Sequence, residues 1–190
     1  MVVLRATDAR GMKFLNIRLA TSKDMKVIAK IYVDTWRTTY AGLVPDVYLK
    51  QLSVQRAEQK WTQFLNDSSQ DTFLYVVLNE QGITVGFAAA QIHADDGVRI
   101  GELSALYILP EAHGLGIGKK LMATIAAHFL KADVFSMLVW VMKKNEPGRA
   151  FYKRLGGKYI DHRQSRFGNV TVKDEAYEWL DITTLVRHQN

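Results

Sequence analysis

The sequence predicts a mixed α/β fold in which strands joined as a meander come first and strands joined through a helix come later. Two patterns carry this. Between residues 72 and 108, three apolar strand runs follow one another across short turns, and between 100 and 142 a strand, a glycine turn, an apolar helix and a second strand succeed each other. The chain has 190 residues at 48% hydrophobic content, enough to bury one sizeable core. No proline- or serine-rich linker, internal repeat or low-complexity tract divides it. Residues 13–186 therefore read as one domain, and 1–12 as a disordered or upstream lead, since they carry charge without period.

A strand is expected over 14–20 and a helix over 22–38, started by Thr21 or Ser22 with Asp24. Helical segments over 45–52 and 54–66 lead into strands over 72–79, 82–93 and 100–108. Asn79-Glu80-Gln81-Gly82 makes the hairpin turn between the first two of these. Helix 115–131 rests on Ile117, Leu121, Ile125 and Phe129, spaced by four, with Met122 and Ala126 beside them as a face that can cover a sheet. Strand 135–142, helix 147–155 and strands near 158–166 and 170–181 complete the chain.

The run from Leu106 to Leu121 is the most informative segment. Gly114, Gly116 and Gly118 alternate just where a helix begins, so backbone amides can approach an anion at the positive end of the helix dipole. The ligand should carry a pyrophosphate. A P-loop is excluded because His113 stands where its first glycine belongs and Lys120 where a Ser or Thr belongs. A Rossmann turn is excluded because its third glycine would fall on Lys119 or Leu121.

The spacing that matches is Q/R-x-x-G-x-G after an L-Y-V-x-P strand end, here His113 to Gly118 after Leu106-Tyr107-Ile108-Leu109-Pro110. It resembles the GNAT superfamily of N-acetyltransferases. Asn145 and then Arg149-Ala150-Phe151-Tyr152-Lys153-Arg154-Leu155-Gly156-Gly157 are similar to the family's N-x-x-A-x-x-F-Y-x-x-x-G-F helix, with Gly148 replacing the usual alanine and Gly157 the usual phenylalanine. These two departures predict a helix that starts later and ends more loosely. Residues Ile31 to Pro45 look like the first helix and acceptor-side loop of many bacterial members, and the match runs from about Phe14 to Leu185. The resemblance implies a central mixed, mostly antiparallel sheet of about six to seven strands flanked by about four helices. It also implies acetyl-CoA as co-substrate and transfer of its acetyl group to a primary amine, of a small molecule or a peptide, by direct attack in a ternary complex.

A primary amine with pKa near ~10.4 is protonated at neutral pH, so attack needs a base. Glu102, eleven residues before His113, sits where histone-type members place theirs, and is the first candidate; Glu175 and Tyr177 on the last strand are weaker ones. The other reading of Glu102 is a strand carboxylate facing solvent or paired with a lysine. Tyr152, seven residues after Asn145 as in the family, is the candidate general acid for the departing thiolate, with Phe151 as the buried aromatic beside it. The resemblance further gives a backbone N–H near Leu106 to the oxyanion and the backbone around Ile108 to the pantetheine arm. The cofactor set is then Leu106, Tyr107, Ile108, His113, Gly114, Leu115, Gly116, Ile117, Gly118, Lys119, Asn145 and Tyr152. His113 stands where the family has Arg or Gln, so the amides from Gly114 to Gly118 carry the anchoring. The acceptor pocket is expected at Trp36, Thr39, Tyr40 and Tyr177.

Composition bounds the alternatives. With no cysteine, a disulfide scaffold, a thiolate nucleophile and a cysteine-containing zinc site are excluded. His93, His113, His128, His162 and His188 show no paired ligand spacing, so no metal is expected. The net charge of +6 concentrates between Lys143 and Arg166 and at Lys119 and Lys120, which suits steering of a polyphosphate ligand. No groove-reading nucleic-acid module is present. No apolar stretch approaches the ~20 residues that span a bilayer, and a cytoplasmic monomer or homodimer is expected. A non-catalytic acyl-CoA-binding module and a basic interaction protein are the competing classes.

Overall fold

The computed structural model describes residues 16–67, 71–95 and 97–187; the expected lead over 1–12, and His188, lie outside them. A short strand β1 (Asn16–Leu19) runs through a single 3-10 turn into α1 (Met25–Thr39), followed by α2 (Asp46–Gln51) and α3 (Val54–Asn66). The meander β2 (Asp71–Leu78), β3 (Thr84–Asp95) and β4 (Val98–Ile108) comes next, then α4 (Ile117–Lys131), β5 (Met137–Met142) and α5 (Glu146–Arg154). A hairpin of β6 (Lys158–Phe167) and β7 (Val170–Trp179) and a short α6 (Thr183–Arg187) end the described chain. The seven strands form one sheet in the order β1-β2-β3-β4-β5-β7-β6, and only the β4–β5 pair is parallel. The expected mixed, mostly antiparallel sheet is thus what the chain forms, with α1, α3, α4 and α5 as its longer helices.

Strand alternation sorts the apolar residues into two cores. On β3, Ala88 and Ala90 join Leu103, Leu121, Ile125 and Phe129 under α4, whereas Phe87 and Ala89 join Ile28, Val33, Trp36 and Trp61 under α1 and α3. The four-residue period of α4 therefore lies against the sheet, as its spacing requires. The Asn79 carboxamide closes the β2–β3 hairpin by accepting from the amides of Gln81 and Ile83.

The start of the first helix is a 3-10 turn rather than continuous α-helix because Asp24 is held from two sides. Arg18 donates to both its oxygens at 2.8 Å, and the Thr21 amide donates to it at 2.8 Å. The Arg18 hydrogen bonds hold the Asp24 carboxyl down to about 2 even though burial works the other way. An unfolded aspartate titrates near ~3.9, so this pairing stabilises the fold by about 2 kcal/mol above that pH and the contribution disappears as pH falls through about 2. Asp24→Asn is accordingly expected to lose about 2 kcal/mol in urea denaturation at pH 7, with the difference from the parent closing near pH 2.

The two departures in the α5 motif have structural counterparts. α5 starts one residue earlier than expected, with the Asn145 side chain accepting from the Gly148 amide at 3.1 Å as an N-cap. A Cβ on Gly148 would come within 2.8 Å of that same carboxamide, so glycine lets the cap sit close. At Gly157 a Cβ would meet the Trp179 ring at 2.7 Å, so an indole from β7 fills the space a phenylalanine would take. The end of α5 is therefore tightly packed, not loose. α6 was not expected; five residues are too few to show a period.

Candidate active site

The β4–β5 ladder is short. Only Gly101, Glu102 and Leu103 pair with Met137, Leu138 and Val139. At the next residue β4 carries a bulge: Leu103 faces Ala90 and Ala105 faces Ala89, leaving Ser104 without a partner on β3. A bulge bends and twists its strand, and beyond it β4 and β5 run apart. The Leu109 amide bonds to the Val85 carbonyl near the start of β3, and Tyr107 pairs with Phe87, so alternate residues Leu106 and Ile108 turn their N–H and C=O toward the gap. These are the two backbone positions expected to meet an oxyanion and a pantetheine arm.

At one end of the gap lies the glycine turn. Gly114 and Gly116 have φ of +77° and +72°, and a Cβ at either would meet nothing within 4 Å, so the turn is an open backbone surface. Gly116 caps α4 with no side-chain hydrogen bond, no acidic residue stands in the first turn, and Lys119 and Lys120 are exposed beside it. The free amides of that turn and the dipole behind them suit a pyrophosphate. Leu115 is exposed at the tip, whereas Ile117 sends its side chain into the core and can offer only its backbone. Gly118 has a different reason to be glycine. Its Cβ would strike Phe151 at 2.9 Å, so it lets α5 pack closely on α4 and does not open the cradle.

His113 is exposed, and its Nε2 donates to the Ile108 carbonyl at 2.8 Å. The ring is turned back onto β4 instead of outward, which leaves the anion to the amides.

Across the gap from the turn, an aromatic group gathers residues from three parts of the chain. Trp36 Nε1 donates to the Tyr107 hydroxyl at 2.8 Å, and the Trp36 ring lies 4.6 Å from Tyr40, 6.0 Å from Tyr48 and 5.7 Å from Phe167. Burial pushes the Tyr40 phenol up, opposed by hydrogen bonding with Tyr107 and Asn145, while the Asp174 charge adds to the rise. Tyr107 thus turns its side chain to the acceptor side. Thr39 is exposed at the end of α1.

Tyr152 and Phe151 exchange the environments expected of them. Tyr152 is the more buried, 8% exposed with its ring edge-on to Trp179, while Phe151 is half-buried over Gly118. Burial, reinforced by the nearby Tyr40 phenol, pushes the Tyr152 phenol above the ordinary tyrosine value, so it keeps its proton across the neutral range. Asn145, Tyr40 and Tyr152 are brought together.

Glu102 sits at the closed end of the gap. Gly101 and Leu103 face α4, so Glu102 faces the α1 side, where its Oε2 pairs with His93 Nε2 at 2.8 Å and Gln91 lies against the same ring. In the sequence His93 stands out only as a possible metal ligand; its pairing with Glu102 is a diagonal contact across the β3–β4 hairpin, deducible from the register Gln91↔Glu102. Tyr177 is not brought to the gap. It is 0% exposed, and its hydroxyl donates to Glu175 at 2.9 Å beside the Arg149 Nε at 2.7 Å. Burial pushes Glu175 up, but the Tyr177 hydrogen bond and the Arg149 charge outweigh it and hold the carboxyl below the usual range. Among the described residues there is no cluster of three or more His, Cys, Asp or Glu that could hold a metal ion.

Comparison with known proteins identifies the family. The model of the Acetyltransferase (GNAT) family matches residues 28–157. The uncharacterized N-acetyltransferase YuaI of Bacillus subtilis is 33% identical over 172 residues, 90% of this chain and 96% of that protein. The spermidine N(1)-acetyltransferase of Thermoplasma acidophilum is 24% identical over 166 residues, covering 86% and 98%. In fold, the crystal structure of the PaiA N-acetyltransferase from Thermoplasma acidophilum in complex with coenzyme A superposes with a TM-score of 0.69 at 22% identity, over 87% of this chain and 98% of that one. The chain belongs to the GNAT acetyltransferase family, and its activity is transfer of the acetyl group of acetyl-CoA to an amine.

Proposed function

We propose that residues 13–186 act as one N-acetyltransferase domain that holds acetyl-CoA and a primary amine at the same time and transfers the acetyl group by direct attack. The observation that carries this reading is the gap between β4 and β5, with the open glycine turn at one end and the aromatic group on its far side. Acetyl-CoA, when bound, supplies the acetyl group as an activated thioester. The amides from Gly114 to Lys119 hold the pyrophosphate, with Lys119 and Lys120 adding charge. The outward N–H of Ile108 pairs with the arm, its C=O already accepting from His113, and the outward N–H of Leu106 donates to the carbonyl oxygen as negative charge builds there.

Glu102 takes the proton of the amine, and its contact with His93, itself half-exposed, leads toward solvent. Tyr152 donates its hydrogen bond to the departing sulfur; a phenol kept protonated by burial favours this role. Trp36 and Tyr40 line the acceptor side. The acceptor is a small-molecule or peptide amine, and the spermidine enzyme among the relatives supports the former. We place the protein in the cytoplasm as a monomer or homodimer without nucleic acid. No described helix is long and apolar enough to cross a membrane. The test is the pH–rate profile: Glu102→Gln is expected to lower kcat/KM by about 10²-fold or more and to remove its acidic limb. A full profile in that variant moves the base elsewhere.

A further inference from the structure

The carboxylate that serves as base and the carbon under attack stand well apart on one strand. We infer that the Ser104 hydroxyl, at the bulge of β4, bridges them: it receives a proton from the acceptor amine and passes its own to Glu102. The relay rests on the reading of Glu102 as base and adds a second residue that touches the reacting nitrogen.

Distance creates the need. The thioester carbonyl is held at the Leu106 N–H, and an attacking nitrogen must come within ~3.5 Å of its carbon. Glu102 lies four residues back along β4, roughly 13 Å at ~3.3 Å per residue, which is more than a glutamate side chain spans. Its carboxylate is also drawn the other way, because Oε2 is bound to His93, whose partner on β4 is Ile100. Oε1 has no hydrogen-bond partner among the described residues.

The bulge supplies the missing group. Alternation from Glu102 brings Ser104 to the same face of β4, and the register shift then places Ala105 on that face as well, buried in the core under α1. Ala105 fills the seat against the core, and Ser104 is left exposed just beyond the last β4–β5 pair, Leu103↔Val139. Its hydroxyl makes no hydrogen bond among the described residues. A free serine hydroxyl can accept one proton while donating another, which is what a relay requires.

The other titratable groups on this face are committed. His93 is bound to Glu102 itself. Tyr107 is buried and accepts from Trp36, and burial holds its phenol protonated. Across the gap Asp174 is taken by Ser165 and Arg163, whose guanidinium lies over the Trp140 ring. Glu178 is separated from Glu102 by Leu138 of β5.

An ammonium must lose one proton before its nitrogen can attack. That proton moves to Ser104 Oγ while the Ser104 hydroxyl proton moves to Oε1 of Glu102, so the serine ends as it began and the proton on Glu102 passes on to solvent. The N–C bond then forms, and the C–S bond breaks as the tetrahedral intermediate collapses. The second proton of the nitrogen, lost as the amide forms, ends on the departing sulfur as free thiol.

The test is the rate of thiol release from acetyl-CoA with spermidine, phenethylamine and an alanyl tripeptide as acceptor probes, followed from about pH 7 to about pH 10. Ser104→Ala is expected to lower kcat/KM by about 10-fold or more at neutral pH with coenzyme A affinity unchanged. The loss should shrink as pH approaches that of the free amine, ~8 for the peptide and ~10.4 for an alkylamine, where no proton has to be removed before attack. Ser104→Thr keeps the hydroxyl and is expected to recover most of the rate. Adding Ser104→Ala to Glu102→Gln should cost nothing further, since both interrupt one path. Full activity of Ser104→Ala, a loss of equal size at every pH, or losses that multiply in the double variant overturn the relay. A silent Ser104→Ala beside a slow Glu102→Gln leaves the base standing without it, whereas a fully active Glu102→Gln removes base and relay together. No amine-dependent release by the parent with any of the three probes contradicts the transferase reading itself, and the relay with it.

Discussion

Gly116→Asp is expected to lower coenzyme A affinity by about 100-fold or more, to the limit of detection by calorimetry, with the fold intact. The backbone there is left-handed, φ +72°, and nothing lies within 4 Å of an added Cβ. Asp and Asn are among the side chains that tolerate this region best, so steric strain is modest. The damage comes from charge: a carboxylate at the N-cap of α4 can accept from the amides of the first turn and presents its negative charge where a pyrophosphate must sit. Gly116→Asn separates the two effects, since it keeps the shape and the capping but not the charge. It is expected to weaken binding far less. Equal loss in both variants would show that backbone geometry, not electrostatics, governs the cradle.

The second large effect is on turnover. Tyr152→Phe is expected to lower kcat by about 10² to 10³-fold while leaving the dissociation constant for coenzyme A within about twofold. The ring packs edge-on against Trp179 and next to Phe151, contacts that phenylalanine keeps, so the hydroxyl alone is removed. Its high pKa makes full proton transfer to a thiolate uphill, and its contribution is hydrogen bonding to sulfur as charge develops. A variant with unaltered kcat shows that the phenol has no such role.

The glycine turn was legible in the sequence because its chemistry is local: left-handed residues and a helix start are written in adjacent positions. The packing reason for Gly118 was hidden for the opposite reason, since the ring against it belongs to Phe151, thirty-three residues later. The same holds for the exchange between Phe151 and Tyr152, where two adjacent aromatics differ only in which neighbours the fold delivers. Tyr177 read as a pocket residue because aromatics on a last strand often stand at an edge. Here β7 is enclosed by β5 and β6, and Asp174 to Tyr177 are buried in succession. The basic stretch from Lys143 to Arg166 looked like a steering surface, yet Arg149, Lys153 and Arg163 are partnered within the protein by Glu175, Tyr177 and Trp140. The His93–Glu102 pair was accessible in principle, by counting back from the hairpin turn at Gly97.

The steps from strand bulge to open gap to exposed amides converge on one claim, that this chain acetylates an amine within a complex that also holds acetyl-CoA. Incubation with acetyl-CoA and a panel of amines, read by release of free coenzyme A thiol and by the mass of the acetylated product, tests it most directly. The predicted result is thiol release that depends on both protein and amine, matched by a product heavier by one acetyl group, and abolished in Gly116→Asp. Tight coenzyme A binding with thiol release no faster than without amine, across the panel, contradicts it.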